Sequence, residues 1–263
     1  MAAPATPTAA WPIPVRGPEF RRADPGQIRA LADLSAATAS AKMHSAGIRR
    51  AFIDGPRPLE PRTGISIAGP AVTLQFMPQR EDVYSGLAQE TVERGTALWA
   101  VLETIEPGDV LVVQANGSST TGCLGEMLVR YFRKRGGAGI VVDGRIRDAA
   151  AVRALGVPIW CTGVTPNYAS QSELFPWAYD VPIAAGGALV LPGDAIVADE
   201  DGAVVVPKAL AADIAVTSLE HEEWERFSRL RIEEGGRLAD YYPVSESNWD
   251  EYQAWKAAQG AGR

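Results

Sequence analysis

The stretch from Val110 to Cys161 constrains the fold more than any other part of the chain. An apolar strand at 110–113 leads into a loop rich in Gly, Ser and Thr. Beyond the loop, Leu124, Met127, Leu128, Tyr131 and Phe132 recur at i, i+3, i+4, i+7 and i+8, which places one apolar stripe on a helix that Gly136-Gly137 stops. A buried strand at 139–142, the turn DGRIRD at 143–148, a short helix from Ala149 to Leu155 and a strand at 157–161 follow. Strand, helix, strand, helix, strand at this spacing requires parallel pairing with right-handed crossovers.

The flanks add other elements. Ile28, Leu31, Ala32 and Leu34 make residues 24–50 read as helix, with Pro25 suited to its first turn and Gly47 to its end. Short β-branched runs at 65–68 and 71–76 read as two strands, and residues 82–95 as an amphipathic helix, with a second helix after Thr96. From 181 to 207, β-runs separated by Gly-Gly, Pro-Gly-Asp and Asp-Gly turns predict an antiparallel layer. The fold class is therefore mixed α/β: a mixed sheet with parallel βαβ units plus an antiparallel layer, and a C-terminal helical tail.

Three regions follow. Residues 1–25 contain six prolines and no apolar run, so they suit neither a signal sequence nor a membrane span, and read as a flexible or extended arm. Residues 26–210 form the main domain. Residues 211–263 form a helical extension in which Trp249, Tyr252 and Trp255 share the last helix; aromatics at that density predict an oligomer contact.

Composition narrows the partners. The net charge of −7, with no concentrated basic stretch, argues against nucleic acid. Cys123 and Cys161 are far apart and belong to no C-x-x-C pair, so they read as small buried apolar groups in a cytoplasmic protein. His44 and His221 are too few and too distant for a His-metal site.

The chemistry gathers on two loops. The Gly-rich loop 115–125 opens a helix at Gly125-Glu126, whose free backbone N–H groups suit an anion such as a carboxylate. Arg147 and Asp148 lie beyond the carboxyl end of the next strand, where open α/β sheets bind ligands. Arg147 offers a planar fork for a carboxylate, and Asp148 hard oxygens for Mg²⁺ or Mn²⁺. Glu126 adds an acid to that neighbourhood. Each also has a structural reading: Asp148 as N-cap of the helix that follows it, Arg147 as partner to a surface acid. Ser118 and Ser119 lack a nucleophile elbow and read as donors to a substrate carboxylate, while Asp194, Asp199 and Asp201 sit in turns that need acids locally.

In order along the chain, GPAVT (69–73), EPGDVLVV (106–113), GEML (125–128), GAGIVVDGRIRD (137–148) with its continuation GVPIWCTGVTP, and PGDAIVADEDGAVVVP (192–207) resemble the family of the regulator of ribonuclease activity A and the class II 4-hydroxy-4-methyl-2-oxoglutarate aldolases. An acid, twenty residues, then Arg-Asp marks the metal-dependent aldolase branch, and Glu126, Arg147 and Asp148 supply it. The resemblance implies a swivelling β/β/α fold, a homotrimer or homohexamer, and sites between subunits. It implies Asp148 as the ligand of Mg²⁺ or Mn²⁺, and Arg147 with the backbone of Gly125, Glu126, Met127 and Leu128 as the grip on the pyruvyl end of a 2-oxo acid. Metal chelation of that group would stabilise the enolate formed when a 4-hydroxy- or 4-carboxy-2-oxo acid is cleaved to pyruvate, so aldol cleavage and oxaloacetate decarboxylation share one site.

Two other activities fit the same blocks: a non-catalytic regulator that binds an endoribonuclease, and a sugar-acid lyase or dehydratase. Glu126 beside Arg147-Asp148 favours the lyase over the regulator. The chain departs from its relatives at Gln114, where they often carry an acid. Glu222 or Glu223 could supply the acid that a neighbouring subunit lends to metal-bound water, or simply form a solvated helix face.

Overall fold

The protein was analysed as a computed structural model that describes residues 12–61, 63–80, 93–169 and 173–260. The chain divides into two compact units, Met1–Ala212 and Asp213–Arg263.

In the first unit, a mixed sheet is built around the long strand β4 (Ser66–Pro78). Parallel to it run β5 (Val110–Gln114), β6 (Gly139–Val142) and β8 (Ile159–Cys161), with β3 (Arg57–Pro58) antiparallel at the far edge. On the other side of β4 lie, in order, β13 (Ala195–Asp199), β14 (Ala203–Val206) and β2 (Phe52–Ile53), each antiparallel to the strand before it. Side-chain alternation sets the two faces of the parallel strands. Leu111, Val113, Ile140 and Val142 bury against the helices α3 (Ala97–Thr104), α4 (Glu126–Arg135) and α5 (Ala149–Ala154). Val110, Val112, Val141 and Trp160 bury on the opposite face with the hairpin β11 (Ile183–Ala185) and β12 (Ala188–Val190) and with β13 and β14.

Two expectations need correction. The runs at 65–68 and 71–76 are one strand, not two. β13 pairs with residues 66–70 and β5 begins only at Ala71, so the donor that Pro70 lacks falls where its neighbour has not started. The helix expected over 24–50 is two, α1 (Pro25–Leu31) and α2 (Ala36–Ser45). Ser35 starts the second, its Oγ accepting from Thr38 N at 3.0 Å while Asp199 Oδ2 accepts from Ala36 N at 2.7 Å. The described part of the N-terminal arm is tied to its own domain. Strand β1 (Val15–Arg16) runs parallel to β10 (Leu174–Tyr179), and Arg22 grips Asp109 through two 2.8 Å hydrogen bonds. The helix expected at 82–95 lies outside the described residues, except for a single turn of 3-10 helix at Glu93–Gly95.

The second unit contains most of α6 (Ala211–Glu233), then α7 (Leu238–Tyr241) and α8 (Trp249–Gly260). Much of its aromatic surface is satisfied internally: Phe227 lies 5.5 Å from the rings of both Tyr252 and Trp255, and Tyr252 is buried. Trp249 remains half exposed. No described helix is long and apolar enough to cross a membrane.

Candidate active site

The site grows from the carboxyl ends of β5 and β6. The loop after β5 and the loop after β6 are zipped by backbone hydrogen bonds: Cys123 N donates to Arg145 O at 2.8 Å, and Arg147 N to Leu124 O at 2.9 Å. Within the second loop, β7 (Arg145–Ile146) pairs in parallel with β9 (Gly163–Val164). Glycines permit this closeness. A side chain on Gly144 would meet Cβ of Ala115 at 2.6 Å, and one on Gly125 would meet Asp148 Oδ2 at 2.6 Å and Arg147 Nε at 2.7 Å. Arg147 and Asp148 thus lie over the first turn of α4 because Gly125 has no side chain.

Gly125, Glu126, Arg147 and Asp148 are therefore brought together, with three qualifications. Asp148 does not cap its own helix: it is held in the left-handed region at φ 57°, and its Oδ2 accepts from Glu126 N at 3.1 Å, at the start of α4. A non-glycine residue kept in this conformation is a form of strain that concentrates at functional sites. Glu126 turns away from the pair; its Oε1 accepts from Arg130 Nε at 2.6 Å, one helical turn along. Its carboxylate therefore serves α4 rather than the neighbourhood of Asp148. Of the two side chains beyond Glu126, Met127 is exposed and Leu128 packs on the core, so Leu128 has only its backbone to offer a ligand.

The electrostatics of the pair are open. Arg147 Nε stands 3.6 Å from Asp148 Oδ2, with side chains 39% and 47% exposed, and neither makes another ion pair among the described residues. A fork of donors, a hard carboxylate and the unpaired N–H groups of a helix start converge in reach of solvent. Among the described residues no three His, Cys, Asp or Glu side chains gather to cage a metal. One carboxylate with room for water and substrate oxygens suits Mg²⁺ or Mn²⁺, which keep much of their hydration. Asp148 is the residue that would hold such an ion.

Other candidates have local duties. The Ser118 hydroxyl donates to Glu173, and Ser118 Oγ accepts from Thr121 N at 3.0 Å, so it is not a donor to a ligand. Hydrogen bonds from Ser118 and Thr120 hold the Glu173 carboxyl below its usual range. Ser119 is exposed. Asp194 accepts from Leu191 N and Lys208 N, and Asp199 from Ala36 N and Asp201 N, as turn acids should. Burial pushes the thiols of Cys123 and Cys161 up and leaves them inert. His44 is exposed and His221 pairs with Glu225 at 3.2 Å. Glu222 and Glu223 pair with Arg229 and Lys256. Asp143 and Glu173 are the residues that sequence reasoning passed over; an acid before glycine at the end of an apolar strand reads as a turn, and only its burial reveals more.

The family follows from the comparison with known proteins. The family described as RraA-like, Aldolase/RraA, matches residues 31–205, more than half of the chain. The chain belongs to the RraA-like family. Streptomyces coelicolor RraAS2, described as an unusual member of the RNase ES inhibitor RraA protein family, has a crystal structure that is 62% identical in sequence; the match covers 81% of this chain and 100% of that one, with a TM-score of 0.74. The mixed α/β fold of this chain is the RraA fold. A Halalkalibacterium halodurans protein that bears the provisional name 4-hydroxy-4-methyl-2-oxoglutarate aldolase is 39% identical over 54% of this chain and 60% of its own length. Protein DlpA of Legionella pneumophila is 24% identical over 81% of this chain but only 33% of its own. The chain thus spans under two thirds of either of these curated relatives.

Proposed function

We propose that this RraA-like protein is a divalent-metal-dependent lyase that releases pyruvate from a 2-oxo acid bearing a 4-hydroxyl or a 4-carboxylate. The observation that carries the reading is the half-exposed Arg147–Asp148 pair laid over Gly125 at the start of α4. The Arg147 fork takes the substrate carboxylate, and the N–H groups of Met127 and Leu128 face the pyruvyl oxygens. Asp148 holds Mg²⁺ or Mn²⁺, and stays oriented through its hydrogen bond from Glu126 N. When bound, the ion supplies Lewis-acid stabilisation of negative charge at the keto oxygen. A water would serve as the acid or base in this reading. Assembly as a homotrimer or homohexamer in the cytoplasm belongs to the same proposal.

The test is pyruvate release from 4-hydroxy-4-methyl-2-oxoglutarate and from oxaloacetate, with Mg²⁺ and with EDTA. Release that EDTA and Asp148→Ala both abolish is the expected result; release that survives both overturns the reading.

A second reading, that the protein binds and restrains an endoribonuclease, draws support from the 62% identity to RraAS2. Glu126 no longer weighs against it, because its carboxylate is engaged by Arg130. Inhibition of an RNase E-type nuclease by a preparation inert toward both 2-oxo acids would favour it.

A further inference from the structure

Among the described residues the hairpin β11–β12 pairs with no other strand, and side chains take two of its N–H groups. Ala184 N, in β11, and Gly186 N, in the hairpin turn, donate to side chains: to Gln114 Oε1 at 3.1 Å and to Asp143 Oδ2 at 2.9 Å. Gln114 ends β5 and Asp143 directly follows β6, the two strands from which the site loops depart. Asp143 does more. Its Oδ1 accepts from Ala115 N at 2.8 Å and Gly117 N at 3.1 Å, and its own carbonyl accepts from Gly117 N at 2.9 Å.

A nearly buried carboxylate that makes no ion pair among the described residues is thus solvated by backbone donors from three places: the root of the Gly-rich loop, its first turn and the hairpin turn. Gly186 is also held from its other side, where its carbonyl accepts from Asp54 N at 3.1 Å. We infer that Asp143 is the positioning residue of the site: its carboxylate locks the root of the Gly-rich loop against the hairpin, and so fixes where Gly125 and the start of α4 stand relative to Arg147 and Asp148. The inference rests on the proposed lyase for its kinetic consequence and on geometry alone for its structural one.

Asp143→Asn keeps the shape but turns one acceptor into a donor facing N–H groups. The full chain and this variant are compared by amide hydrogen exchange and by pyruvate release with Mg²⁺, well below the unfolding temperature. Expected are faster exchange in both 113–126 and 183–190, unchanged exchange in α2 and β14, and a fall of tenfold or more in kcat/KM without a change in the Mg²⁺ requirement. Gln114→Leu is expected to loosen 183–190 alone. Unchanged exchange in 113–126 overturns the lock, as does kinetics within twofold of wild type. Where wild type itself releases no pyruvate, the lyase fails and exchange alone judges Asp143. Should Asp143→Asn not fold, Asp143→Glu, with the charge kept and the arm lengthened, carries the same comparison.

Discussion

The same two side chains, an arginine and an aspartate, meet at opposite ends of the parallel strands and do opposite things. At the foot of β5, Arg22 clasps Asp109 with two 2.8 Å bonds, adds a third to Thr104 O at 3.0 Å and an ion pair to Glu106 at 3.1 Å, and the Asp109 side chain is fully buried. At the carboxyl ends, Arg147 and Asp148 make one loose contact at 3.6 Å in reach of solvent. The first pair has spent its hydrogen-bonding capacity on the fold. The second keeps most of it for a ligand, which is how a binding site differs physically from a structural bridge.

Removing one partner of the buried pair should produce the largest change in stability. Arg22→Ala strands a buried carboxylate, at a cost of about 3–5 kcal/mol, readable as a lower urea midpoint. Pyruvate release per folded molecule should stay near wild type. Asp148→Asn should do the reverse, lowering turnover by roughly a hundredfold or more, as loss of one transition-state contact does, while moving stability by less than about 1 kcal/mol.

Gly125→Ala tests how the exposed pair is held. The new methyl meets Asp148 Oδ2 and Arg147 Nε without backbone strain, since Gly125 lies in the extended region at φ −119°. Activity should fall about tenfold, from displacement alone, with a melting temperature within a few degrees of wild type.

The pH dependence sharpens the contrast. Burial raises the Asp109 carboxyl above its usual range, and the hydrogen bond from Arg22 opposes that rise. An acid whose folded pKa is raised costs stability as pH climbs through the carboxylate range to that pKa, and the cost then stays constant. Without Arg22 the rise is larger, opposed by the remaining hydrogen bond from Glu106 N, so the deficit of Arg22→Ala should be smaller at pH 5 than at pH 7, and Arg22→Ala/Asp109→Asn should recover part of it. Urea midpoints at the two pH values check this.

The smallest effect is expected at Glu126. Glu126→Gln removes an exposed i,i+4 pair worth a few tenths of a kcal/mol and should leave turnover within about threefold of wild type. A loss comparable to that of Asp148→Asn would return its carboxylate to the site.

Much of the contrast was legible in the sequence. The alternation over 110–161 located the parallel strands, and the Gly-rich loop and DGRIRD turn were correctly brought to one crevice, because a parallel sheet sends its loops to one edge. What escaped depends on contacts between residues distant in the chain. Whether Glu126 reaches Asp148 or Arg130 is a choice of rotamer, and residue spacing does not record it. Arg22 lay in a proline-rich segment with no periodicity, and nothing local announces that Asp109, 87 residues on, is buried behind it. Asp143 looked like a turn acid because the hairpin that it holds is formed more than forty residues later.

The most direct test is a crossed measurement on Arg22→Ala and Asp148→Ala: pyruvate release from oxaloacetate with Mg²⁺, normalised to the folded fraction read in the same samples. The account predicts a destabilised but active Arg22→Ala beside a stable but inactive Asp148→Ala. Equal activity in Asp148→Ala and wild type would contradict it, and would mark the carboxyl-end pair as a surface contact rather than a catalytic one.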